Sequence, residues 1–229
     1  MRNKITFLFI STIFFIVLSQ HAYSKNIRLF FDTLGQYEVK HYANENKLEL
    51  RKDDDGNIST ITHISDNSAS GLFQILNLDL RQEKIRYLNF EWYSEKFLTN
   101  KSERLKENHD FPARVYLTFR KKSLPFELPF QLPWEKYHLN YVFSNTETKD
   151  HHWKSPYRNF FVKSHDIVLS GKNDPSSYWI NHKIDLRSDI QKFWNIDLEN
   201  LESVALMVDT DNTNKKTKTI YRNIYLSSN

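Results

Sequence analysis

The chain has 229 residues, 15% of them aromatic, with 12 Tyr, 17 Phe and 5 Trp against only 4 Gly and no Cys. The absence of Cys excludes disulfides, zinc–thiolate sites and thiol chemistry, so the fold must be held by its core, which a chain of this length can bury. The formal charge is +4, but the basic runs Arg120-Lys121-Lys122 and Lys215-Lys216 are short; they suit solvated loop tips and argue against a nucleic-acid partner.

At the start, Arg2 and Lys4 precede an apolar run from Ile5 to Leu18 that ends at Ala22-Tyr23-Ser24. A basic segment, a short apolar segment and small residues at the −3 and −1 positions describe a secretory signal peptide, residues 1–24, cut before Lys25. The run is shorter than the ~20 residues of a spanning helix. The expectation is an exported protein, periplasmic or secreted, with no stable membrane span after cleavage. The leader carries two basic residues and no acidic one, so its loss takes the formal charge from +4 to +2.

From Lys25 onward the sequence reads as one domain, 25–229, of many short strands separated by polar breaks. Strands are predicted at Leu48 to Arg51, Ile58 to Ile64, Leu72 to Leu78, Tyr87 to Tyr93, Phe111 to Arg120, Leu139 to Ser144, Asn159 to Val162 and Tyr178 to Ile184. The clearest is Phe111 to Arg120, where Phe111, Ala113, Val115, Leu117 and Phe119 alternate with Pro112, Arg114, Tyr116, Thr118 and Arg120, the period of two of a half-buried strand. Lys101 to Asn108 reads as a loop or short surface helix. The three prolines at four-residue spacing in Leu124 to Pro133 leave an extended edge or loop. Ile190, Phe193 and Trp194 predict one helix, Leu186 to Trp194. Two final strands, from Val204 and from Thr219 to Leu226, flank Asp209-Thr-Asp-Asn-Thr213. The fold class expected is all-β, a two-layered antiparallel sandwich or jelly roll with one short helix before the last two strands.

Several segments then fit together in order: Ser68-Ala-Ser-Gly-Leu72, Leu88-Asn-Phe-Glu-Trp-Tyr93, His109-Asp-Phe-Pro-Ala-Arg-Val-Tyr116, Leu139-Asn-Tyr-Val-Phe-Ser144, Asp185-Leu-Arg-Ser-Asp189 and Val204 to Thr213. Together they resemble the bacterial domain-of-unknown-function family 3047 over about residues 30 to 226. The chain departs from that pattern at His109-Asp110, where the family has a pair of Asp, at Phe90-Glu91-Trp92, where it has a Trp-Arg-Trp-like core, and at Asn223, where it has an Asp. The last strand, Tyr221-Arg-Asn-Ile-Tyr-Leu226, resembles the closing strand of galactose-binding-like sandwiches and carbohydrate-binding modules. That resemblance implies a jelly roll whose loops or concave face hold sugars.

Candidate site residues come from polar and aromatic positions on this framework. Asp110, Arg114 and Tyr116 form a polar row that offers a ligand charge, several hydrogen-bond donors and a ring face; the same row also suits a structural ion pair. Asn140 and Tyr141 sit on a neighbouring predicted strand. Trp134 and Trp153 lie in Pro-rich or polar segments, where a ring can stand exposed as a stacking platform. Asp209, Asp211 and Asn212 put hard oxygens close together, as a structural calcium site requires, although these residues are also ordinary turn formers. No other cofactor is expected.

No Gly-x-Ser-x-Gly, His-Glu-x-x-His, P-loop or dinucleotide motif occurs. The adjacent His151-His152 diverge on any strand. The resulting expectation is a non-catalytic protein that binds carbohydrate or a cell-envelope glycan. The alternatives are a divergent polysaccharide-processing enzyme with two of Asp110, Asp209 and Asp211 as its carboxylates, or an envelope scaffold that binds protein along a sheet edge.

Overall fold

The computed structural model describes residues 25–30, 37–97, 99, 101–120, 135–196 and 200–229. The leader, the Pro-rich segment and Trp134 lie outside the described residues. In chain order the strands are β1 (Asn26–Arg28), β2 (Tyr37–His41), β3 (Lys47–Lys52), β4 (Ile58–Asp66), β5 (Ala69–Asp79), β6 (Tyr87–Ser94), β7 (Ala113–Arg120), β8 (Lys136–Phe143), β9 (His152–Lys154), β10 (Val162–Ser170), β11 (Trp179–Asp185), β12 (Asn200–Asp209) and β13 (Lys216–Ser227), with helix α1 (Leu186–Trp194) between β11 and β12. They form two sheets. One runs β11-β6-β13-β4-β3 with β1 added alongside β13; the other runs β2-β5-β12-β7-β8-β10-β9.

The two sheets enclose the core through strict alternation. Leu72, Leu206, Val115 and Tyr141 stand opposite one another across β5, β12, β7 and β8 and face the other sheet. That sheet answers with Leu88, Phe90 and Trp92 of β6 and Tyr221 of β13. Trp92 stacks on Phe143 across the sandwich, with ring centroids 6.0 Å apart. Tyr221 spans the core completely: its Oη donates to Met207 O at 2.8 Å and accepts from Arg114 N at 3.0 Å. A bulge between Arg222 and Tyr225, with Asn223 at φ 51°, lets β13 keep Tyr221, Ile224 and Leu226 pointing inward.

The expected helix is present with the expected bounds. Asp185 caps it by accepting from Ser188 N at 3.1 Å, and Asn195 ends it in the left-handed region at φ 51°. Three local expectations need correction. Asn159 to Phe161 is a turn, and the strand begins at Val162 and runs to Ser170; Lys163-Ser-His-Asp166 hides that strand because its outward residues are polar for a reason given below. The chain lays β10 between β8 and the edge strand β9, which makes β8 and β10 a parallel pair in an otherwise antiparallel sandwich. The segment before β7 is a loop with one 3₁₀ turn, Lys106–Asn108, yet Glu103, His109 and Asp110 within it are buried. Glu103 explains this. Its carboxylate accepts from Asn145 N at 2.7 Å and from the side chains of Ser144, Asn145 and Thr146, which draws the loop down against the turn after β8.

Candidate functional site on the outer face of the seven-stranded sheet

Residues one step out of phase with the core point to the other side of the seven-stranded sheet. Phe73, Ala205, Tyr116, Asn140 and Asp166 align across β5, β12, β7, β8 and β10, and Gly71, Met207, Arg114, Val142 and Val168 form the next row. In a solvated outer face such residues would be wet. Here Phe73, Met207, Arg114, Asn140 and Asp166 are buried.

The burial is supplied partly by the loop before β7. Phe111 was expected on the core face of a strand from Phe111 to Arg120, but the strand starts only at Ala113, after Pro112 breaks the run. Phe111 instead packs on this outer side with Val142, Val168 and Trp153. Trp153 stacks on it with centroids 6.3 Å apart, and the Arg104 guanidinium lies 5.3 Å from the Trp153 ring. The expected platform is therefore a half-buried ring, covered on its faces by Phe111 and Arg104.

A chain of polar contacts crosses the buried floor. Asp209 accepts from Phe111 N at 2.6 Å and from Arg114 Nη2 at 2.8 Å. Arg114 Nη2 also meets His109 Nδ1 at 3.3 Å, and His109 Nε2 meets Asp166 Oδ2 at 2.8 Å. A guanidinium can only donate, so Nδ1 accepts and the His109 proton sits on Nε2, facing Asp166. Asn140 Nδ2 donates to Asp166 Oδ1 at 2.7 Å and to Ser164 Oγ at 3.1 Å. On the other side, Tyr116 Oη bonds to His138 Nδ1. This floor explains why β10 looks polar in sequence: Ser164 and Asp166 are its outward residues.

Burial decides the protonation states. It pushes the Asp209 carboxyl up to about 7, helped by the Asp110 charge and opposed by Arg114 and the Phe111 N–H. Burial also opposes the Arg114 cation, but Asp209 and Asp166 outweigh it and raise its pKa. His109 is held below the usual imidazole range by burial, although Asp166 pulls the other way, and burial together with Lys136 lowers His138 to about 4.

Two atoms of the floor have no partner. Arg114 Nε is a buried donor and Asn140 Oδ1 a buried acceptor, and both lack a hydrogen bond. They sit on adjoining strands, one diagonal step apart. Two tyrosines stand at the rim: Tyr42 is 60% exposed, and Tyr157 is 48% exposed with Lys106 Nζ over its ring at 5.2 Å. Both lie within the fields of Arg114 and Asp209.

Of the residues singled out in sequence, the structure brings Arg114, Tyr116, Asn140, Trp153 and Asp209 to this face. Tyr141 belongs elsewhere. It is on the core side, 0% exposed, and its Oη donates to Asp189 Oδ2 of α1 at 2.8 Å, so the ligand role read for it is corrected to a core one. The reason is alternation: Asn140 and Tyr141 are neighbours and must face opposite sides. Asp110 is also buried, and it is committed to the β12–β13 turn. Its carboxylate accepts from Thr213 N and Oγ1, both at 2.6 Å, and from Asn212 Nδ2 at 3.0 Å.

Asp209, Asp211 and Asn212 do not converge. Asp209 turns both oxygens to Arg114 and Phe111, Asn212 donates to Asp110, and among the described residues no group of three or more His, Cys, Asp or Glu is placed to hold a metal. His109, Asp166, Tyr42, Tyr157 and His138 were missed. The Phe-Pro break after His109-Asp110 was the one available hint that this loop turns back on the sheet. A separate hollow of about 460 Å³ opens on the other sheet, among Arg28, Asp53, Asn89, Glu91, Asn181 and Asn223. Among the described residues no helix is long and apolar enough to cross a membrane.

These features define a two-sheet jelly roll with a roofed polar floor on one outer face. The chain belongs to the family described as "Protein of unknown function (DUF3047)", which it matches over residues 34–225. No curated protein of similar sequence matches it. Among solved structures it is similar to a family 11 carbohydrate-binding module from Clostridium thermocellum in complex with a β-1,3-1,4-mixed-linked tetrasaccharide, at 13% identity and TM-score 0.43, covering 89% of this chain and 94% of that one. It is also similar to a family 12 xyloglucanase from Bacillus licheniformis, at 7% identity and TM-score 0.47, covering 90% and 99%. A third is a thermostable cellulase derived from Rhodothermus marinus Cel12A, at 11% identity and TM-score 0.47, covering 89% and 98%.

Proposed function

We propose that this protein is exported to the periplasm or beyond and there binds a glycan on the outer face of the seven-stranded sheet, without chemical turnover. The observation that carries the reading is the pair Arg114 Nε and Asn140 Oδ1, a buried donor and a buried acceptor left without partners on one face. A buried polar group without a partner costs roughly 1–3 kcal/mol, which a bound hydroxyl that both donates and accepts would return. Tyr42, 60% exposed, supplies a ring beside it, the second thing a sugar uses. Export rests on the leader, residues 1–24; N-terminal sequencing of the secreted protein should begin at Lys25.

The test is a thermal-shift and calorimetric screen against neutral and acidic envelope and plant glycans, since a ligand of the native state raises the melting temperature. Tyr42→Ala should remove the shift produced by a binding glycan while leaving the unliganded melting temperature unchanged. A screen in which no glycan binds would overturn the reading. A second reading, hydrolysis of the bound glycan, is favoured by one observation, the Asp209 carboxyl raised to about 7, where an acid can deliver a proton near neutrality. Against it, both Asp209 oxygens are already engaged. Incubating a bound oligosaccharide with the protein and analysing its length decides between the two.

A further inference from the structure

The turn that leads into β10, residues 159–162, presents two aromatic side chains to solvent. Phe160 is 82% exposed, more than any other large apolar residue among the described residues, and Phe161 is 45% exposed. Their rings meet edge to face, with centroids 5.1 Å apart. The backbone beneath them is tied down. Asn159 N donates to Val162 O at 3.0 Å, and Asn159 Oδ1 accepts from Phe161 N and Val162 N, both at 2.9 Å. Phe161 O in turn accepts from Lys136 N of β8 at 2.8 Å. A turn fixed in this way loses little conformational freedom when its rings are buried against a partner.

The free charge beside these rings has one sign. Lys154 and Arg158 are exposed. Arg158 Nη1 donates to the main-chain oxygens of Lys154, at 3.5 Å, and Ser155, at 3.2 Å, and neither residue has a carboxylate partner among the described residues. Lys163 is committed: its Nζ lies 6.0 Å from the Phe160 ring centroid and reaches Glu135 at 3.4 Å. The turn is therefore an apolar tip flanked by two uncompensated cations, which attract an anionic surface.

We infer that this tip docks the protein on a phospholipid bilayer with anionic headgroups. Phe160 and Phe161 enter the boundary between headgroups and acyl chains, and Lys154 and Arg158 meet the lipid phosphates. Charge complementarity selects this occupant, and so does the size of the patch. A specific protein partner covers about 800 Å² on each side around a buried apolar centre, whereas here two rings stand on one turn. A bilayer asks for less, apolar side chains at interface depth with basic groups above them. Such attachment is peripheral and reversible and needs no spanning segment. The inference does not rest on the glycan-binding reading, because the tip shares no residue with the floor around Arg114 and Asn140.

Co-sedimentation of the exported protein tests this with two probes, vesicles of phosphatidylcholine alone and vesicles in which about one-third of the lipid is phosphatidylglycerol. At low ionic strength the anionic vesicles should bind about tenfold or more tightly, and the difference should vanish at about 1 M salt, where the screening length is about 3 Å. Phe160→Ser should weaken binding to both vesicles about tenfold. Arg158→Ala should weaken binding to the anionic vesicles alone, about fivefold, and Tyr42→Ala should leave both unchanged. Phe160 and Arg158 are exposed, so an unchanged melting temperature certifies the fold of each variant. No binding to either vesicle overturns the inference. So does binding that survives Phe160→Ser, as it would if the leader or another surface carried it, and so does equal binding to both vesicles. Loss with Arg158→Ala alone marks a cation patch without insertion and overturns it too. A dimer that Phe160→Ser turns into a monomer, seen by ultracentrifugation without vesicle binding, makes a second copy of the chain the occupant instead.

Discussion

The two sheets of the sandwich have outer faces built by the same alternation, and they differ in what covers them. On the six-stranded sheet, Glu91 pairs with Arg222 at 2.7 Å and accepts from Asn223 Nδ2 at 2.7 Å, and Lys47 pairs with Glu49 at 2.6 Å, all at exposed or partly exposed positions. On the seven-stranded sheet, Arg114, Asn140, Asp166 and Asp209 are buried beneath the loop that carries His109, and two polar atoms there are left unmet. Charges in water gain little from pairing, whereas charges roofed by a loop depend on it. A polar outer face by itself is therefore ordinary. One that has been covered without being satisfied points to a ligand.

The sharpest way to break that comparison is to remove one acid from each face. Asp209→Ala leaves the Arg114 cation buried without its closest carboxylate and frees Phe111 N, so it should cost about 3–5 kcal/mol in urea unfolding. Glu91→Ala on the opposite face should cost about 1 kcal/mol or less. Equal losses would show that the roof over Arg114 does not exclude water.

A somewhat smaller effect should appear with pH. Burial lowers His63, His138, His165 and His182 to about 4, so between about 6.5 and 4 the unfolded chain takes up protons that the folded one refuses, and stability falls as pH falls. Asp209, raised to about 7, acts in the opposite sense: its folded form holds a proton that the unfolded form has lost, so its contribution is present at low pH and disappears as pH rises from about 4 to 7. Four histidines outweigh one carboxyl, and the net expectation is acid destabilisation. His63, whose two ring nitrogens are buried without partners, should account for up to about 3 kcal/mol of it. His63→Leu should flatten the dependence of the urea midpoint between pH 7 and 4.5 by that amount, and an unchanged slope would refute the assignment. Tyr221→Phe comes next. It strips the hydroxyl that anchors Arg114 N and Met207 O from behind the floor, and should cost about 2 kcal/mol in the same assay.

Alternation in Ala113 to Arg120, the capping residues around Leu186 to Trp194, and the turn chemistry after Asp209 are local properties of backbone and side chain. For that reason the all-β class, the helix and most strands could be read directly from the residues. The same alternation, applied one residue further along, would already have separated Asn140 from Tyr141, because adjacent strand residues face opposite sides. Other features depended on contacts distant in sequence. His109 meets Asp166 across 57 positions and Arg114 meets Asp209 across 95, and no local pattern announces either. The parallel insertion of β10 beside β8, the burial of Asp110 as a clamp on the last turn, and the exposure of Phe160 and Phe161 on the turn before β10 were likewise decided only by the tertiary structure. Hydrophobic period is a near-neighbour signal that specifies which face of an element is buried, whereas the partner of a buried charge is chosen by whichever strand the packing of the whole sheet brings alongside it.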